Sequence, residues 1–145
     1  MSDELAATLP GSFASARETV VGALKEQGYG VLTSVDVQET LREKLGEEVE
    51  AYEILGVCNP SLAYRALEID RRVGLLLPCS VTLRETGAGV EVRVLDPQEA
   101  FRLAPEPALA ALGPVASEAR ERLVAAIRGL STGQAQGASE AASGA

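Results

Sequence analysis

The chain has 145 residues, no histidine, two cysteines and a formal net charge of -8. That length makes one domain, with a core that needs neither disulfides nor a structural metal. The acidic balance, relieved by no basic cluster longer than Arg71-Arg72, excludes nucleic acid and anionic membrane surfaces as natural partners. The missing histidine excludes Ser–His and Cys–His nucleophile pairs and His-ligated metal.

Residues 1–11 read as a flexible leader. The opening MSDELAATLP is acidic and has neither the basic nor the apolar region of an export signal. No run approaches the roughly 18 apolar residues of a membrane helix. These features and two free thiols predict a cytoplasmic protein. A single α+β domain is expected over 12–130, followed by a disordered tail of small and polar residues over 131–145.

Within the domain, Ser12 caps a first helix whose stripe is Phe13, Ala16, Val20, Val21 and Leu24, and Gly28 stops it. A period of two over 29–35 predicts a strand. Asp36 and Glu39 then have capping-box spacing, which predicts a short helix turning Val37, Leu41 and Leu45 inward before Gly46. The run 51–58 is a second strand, and Asn59-Pro60 is a cap and first-turn pair that opens a helix over Leu62, Ala63, Ala66 and Leu67. Residues 74–86 and 90–96, joined by Gly87-Ala88-Gly89, predict a β-hairpin, with Pro78 marking an edge, a bulge or the start of the strand. Asp96-Pro97 caps a short helical segment, and a last helix is expected from about Pro114 to Arg128. This order predicts a small, largely antiparallel sheet with helices on one face.

The chain has no Walker loop, no GxGxxG and no GxSxG. Gly28-Tyr29-Gly30 ends a helix rather than starting one, so it is a turn and not a phosphate loop. Glu47, Glu48 and Glu50 read as a solvated loop. Neither a metal nor a cofactor is expected.

Cys58 is the sharpest positive signal, and two readings of it stay open. A thiol just before an N-cap lies near first-turn N–H groups, which favours the thiolate and nucleophilic, redox or ligand chemistry. Free cysteine is also a common small buried hydrophobe that closes a strand. Cys79 shares the phase of Leu77, Val81 and Leu83, which points to the core. Tyr52 and Tyr64 are pocket-lining candidates or ordinary half-buried packing residues.

Gly28-Tyr29-Gly30-Val31, the run YEILGVCNP from Tyr52 to Pro60, and GLLLPC at 74–79 together resemble the bacterial domain-of-unknown-function 302 family. The resemblance covers roughly residues 13–103 and is strongest at Cys58-Asn59-Pro60 and Leu77-Pro78-Cys79. It implies a compact α+β fold similar to the TATA-binding-protein-like class, often met as a homodimer, with no established activity.

The expected function is a binding or interaction module that self-associates through a face including Leu75–Leu77. A small-ligand site is expected around Cys58 and Asn59, with Tyr52 and Cys79 as neighbours. The alternative is a cysteine-dependent redox or thiol enzyme using Cys58.

Overall fold

A computed structural model describes the backbone of residues 3–143 and the side chains of residues 3–130. Five strands form one sheet: β1 (Ala6–Leu9), β2 (Gly30–Asp36), β3 (Tyr52–Cys58), β4 (Cys79–Thr86) and β5 (Gly89–Val94). Their order is β1-β5-β4-β3-β2, and every neighbouring pair is antiparallel. The helices are α1 (Phe13–Glu26), α2 (Val37–Leu45), α3 (Pro60–Ile69), α4 (Pro97–Phe101) and α5 (Ala108–Ser143). This is the α+β architecture expected from the alternation of helical and period-two segments.

The register explains which face is buried. Leu55, Val81 and Val94 stand opposite one another across three strands, and Leu83, Val92 and Ala7 form a second row. Side chains alternate along a strand, so these rows share one face. Onto that face α1 lays Ala16, Val20 and Leu24, while α5 contributes Leu112, Leu123, Val124 and Leu130. Each fully buried Leu or Val stabilises the fold by about 1.5–3 kcal/mol relative to exposure. The opposite face is open, and its groove is lined by Tyr52, Ser80, Thr82, Arg84, Glu91 and Arg93.

Local chemistry sets the helix ends. Ser12 accepts from the Ser15 N–H at 3.1 Å, and Asp36 accepts from the Glu39 N–H at 2.9 Å. Gly46 closes α2 in the left-handed region, at φ 69°. Asp96 caps α4 through the Gln98 N–H at 2.8 Å.

Four sequence expectations are corrected. Residues 3–9 are no flexible leader: Asp3–Leu5 form a 3-10 turn, β1 pairs with β5, and Leu5 and Leu9 are buried. Helix α2 turns no residue into the core, and Leu45 is 69% exposed. The run from Gly74 does not enter the sheet directly. A 3-10 segment, Arg71–Leu76, comes first and β4 begins at Cys79, so Pro78 stands immediately before the strand, where its missing N–H costs no ladder bond. Helix α5 begins upstream of Pro114, because Ala108 and Leu112 extend its buried stripe by two turns. The tail over 131–145 lies outside the residues whose side chains are described.

Candidate functional site

Asn59 holds the frame of the site. Its Oδ1 accepts from the Leu62 N–H at 3.2 Å, capping α3, and its Nδ2 donates to the Gln27 carbonyl at 3.4 Å, where α1 ends. Arg122 Nη1 also donates to that carbonyl, at 3.5 Å. Gly28 makes this junction feasible. It sits at φ 83°, and an added Cβ would meet Asn59 Nδ2 at 2.9 Å. One amide therefore ties the end of one helix to the start of another.

Beside this junction is an apolar slot of about 40 Å³. Strand pairing puts Cys79 opposite Val57 and Cys58 opposite Gly30, at one end of the sheet. Leu76 at the end of the 3-10 segment and Leu77 just after it close the slot, with Phe101 from α4 and Val115 and Leu123 from α5. Cys58, Cys79, Asn59 and Tyr29 line it together. A water needs about 10–15 Å³ measured this way, so the slot holds about three or four water-sized occupants. Close packing across β3 and β4 fixes the nearby backbone: a Cβ on Gly56 would lie 2.7 Å from Pro78 Cγ.

The slot carries no charge at neutral pH. Burial pushes the Cys58 thiol up. Burial first, then Asp96 and Cys58, pushes Cys79 up to about 12. The Tyr29 phenol is also raised, by burial and then by the neighbouring thiols, with Arg122 opposing. All three groups keep their protons, because the charged form loses its hydration without gaining a partner. Cys79 Sγ donates to the Leu95 carbonyl at 3.4 Å.

This reverses the electrostatic expectation for Cys58. Of the first-turn N–H groups, that of Leu62 is taken by Asn59 Oδ1 and that of Ala63 by the Asn59 carbonyl, and Pro60 has none to offer. Burial is left as the dominant influence on the thiol.

Of the four residues expected at the site, Cys58, Asn59 and Cys79 come together and Tyr52 does not. Tyr52 pairs with Arg84 at the far end of β3 and lines the groove on the open face. Tyr64 is exposed on α3. Sequence reasoning missed Tyr29 as a site residue, reading it as part of a turn that leads into a strand. The available signal was an aromatic with a polar tip set between a helix-stopping glycine and the strand that follows. Among the described residues, no group of three or more Cys, Asp or Glu side chains is placed to hold a metal ion. No helix among them is long and apolar enough to cross a membrane.

The model of a family described as domain of unknown function DUF302 matches residues 5–130. The match begins at Leu5, so it takes in β1 as well as the slot. The crystal structure of an uncharacterized conserved DUF302 protein from Bacillus stearothermophilus is similar, with a TM-score of 0.76 and 28% sequence identity. The match covers 85% of this chain and 94% of that one. No curated protein matches the chain.

Proposed function

The chain belongs to the family of domain of unknown function DUF302, and we propose that it is a binding module whose site is the slot between Tyr29, Cys58 and Cys79. The observation that carries this reading is the convergence of both thiols and a buried phenol on one apolar cavity. The thiol-enzyme alternative needs a thiolate near neutral pH, and burial of both cysteines disfavours it. Xenon is a suitable first probe, since dry apolar cavities take it up. In a methyl NMR titration with dissolved xenon, Leu76, Leu77 and Leu123 should shift saturably while methyls of β2 stay still. Shifts absent from the slot would end this reading.

Self-association is supported by a different region. Strand β2 is an edge, Leu32 is 64% and Val35 47% exposed, and α2 beside it has no buried residue. Edge strands are commonly protected by charge, yet β2 is uncharged until its last residue, Asp36. A second copy of β2 therefore pairs with it antiparallel without like-charge repulsion, across a twofold axis. The run 75–77 offers less surface than expected. Leu75 is 88% exposed, but Leu76 and Leu77 pack against the core. Light scattering at high micromolar concentration should give twice the chain mass, and Leu32→Asp should halve it. A wild-type monomer removes the claim.

A further inference from the structure

The slot holds one polar group whose hydrogen bonding is unfinished. Tyr29 is 5% exposed, and its hydroxyl has no hydrogen-bond partner among the described residues. None of their side-chain N or O atoms is both shut away from solvent and unpartnered. The hydroxyl must therefore open onto free space, and the slot is the cavity that Tyr29 lines. With no protein partner, that hydroxyl is completed by whatever occupies the slot, so it marks where a water or a ligand oxygen is held.

We infer that the slot takes a small uncharged carbonyl compound whose oxygen accepts from the Tyr29 hydroxyl and whose carbon atoms rest on Leu76, Leu77, Phe101 and Leu123. This rests on the binding-module reading above and adds the class of ligand. Charge is excluded first, because an apolar wall desolvates an ion and nothing in the slot is ionised to pair with it.

The acceptors set the rest. Asn59 Oδ1 already accepts from Leu62, and the Leu95 carbonyl accepts from Cys79. An alcohol accepting from the phenol would need a further acceptor for its own O–H, and Asn59 Oδ1 and the Leu95 carbonyl each already take one bond. A hydrocarbon would leave the phenol unpaired. A carbonyl oxygen brings lone pairs and no donor, which is what the phenol and the Cys58 thiol lack. The volume admits about three or four heavy atoms, counting each water-sized position as one.

The test uses the full chain, methyl NMR and three probes: acetone, 2-propanol as its alcohol counterpart, and xenon. Acetone should shift the slot methyls saturably and bind at least threefold more tightly than 2-propanol. Tyr29→Phe, which keeps the ring, should weaken acetone about fivefold, the factor for one net hydrogen bond, and leave xenon unchanged. Equal acetone affinity in wild type and Tyr29→Phe overturns the inference, as does 2-propanol binding as tightly as acetone. Should Tyr29→Phe fail to fold, the acetone and 2-propanol comparison on wild type decides alone. Xenon binding without acetone binding defeats the carbonyl inference and spares the slot. Absence of both defeats the slot as well.

Discussion

The middle of the sheet and its β2 edge are built on different terms. In the middle, β4 and β5 bury Val81, Leu83, Val90 and Val92 almost completely beneath α1 and α5. At the edge, β2 fully buries no residue, with Val31 only partly packed against the core, and the helix that follows it fully buries none either. Both regions have apolar residues at regular spacing and well-made helix caps, so pattern alone does not separate them. What separates them is the number of layers. The middle strands have a helical layer over one face, whereas β2 has a single neighbour. Apolar side chains that do nothing for the isolated chain point to a role outside it.

That contrast can be broken by substitution. Leu83→Ala, in the fully buried row, should cost about 3 kcal/mol of unfolding free energy, whereas Leu32→Ala at the edge should stay within about 0.5 kcal/mol in the monomer. Urea unfolding at low protein concentration measures both. Similar costs would mean that β2 is part of the core and would remove the reason for assigning it to a partner.

Alkali sharpens the same contrast, because the slot holds thiols whose values burial raises and β2 carries none. The folded-state value of Cys79 is raised, to about 12, so the unfolded chain releases its proton first as pH rises. Stability from this thiol is complete below its unfolded value near 8.5 and is lost as pH climbs toward 12. Between pH 7 and 10 the loss should be about 1.5–2 kcal/mol. Cys79→Ala should flatten that slope, and substitutions in β2 should leave it alone.

The smallest effect concerns the junction that frames the slot. Asn59→Ala removes a cap on α3 and a donor to the end of α1, and should cost about 1 kcal/mol. Asn59→Ser keeps a capping oxygen without a charge and loses the donor, so its cost should be lower. Thermal unfolding of the two variants ranks them, and the opposite ranking would make the Gln27 contact the dominant one.

Sequence reasoning reached what local chemistry decides. Ser12, Asp36, Asn59 and Asp96 each cap the helix expected of them, and Gly28 and Gly46 end α1 and α2. It failed where a distant partner decides. AATL is too short and too bland to announce a strand, and only the ladder to β5 makes it one. The stripe on α2 is genuinely amphipathic, but a period of 3.6 cannot say whether the chain's own core covers it. The convergence of Cys58 and Cys79 on one slot depends on strand order, and the free hydroxyl of Tyr29 depends on everything packed around it. The N-cap position that made Cys58 look reactive was legible. That Asn59 would take the helix N–H for itself was not.

The protonation of the slot separates a binding site from a thiol enzyme most directly. Native protein is alkylated with iodoacetamide across pH 6–10, a range bracketing the free-thiol value of about 8.5, and Cys58 and Cys79 are followed separately by peptide mass spectrometry. The raised values of both thiols predict that both rates keep climbing with pH through 8.5 without levelling off, with Cys58, held up less, reacting before Cys79. An apparent value for Cys58 below 8.5 would contradict this. The slot would then hold a thiolate poised for chemistry, and the binding-module reading would give way to the enzyme.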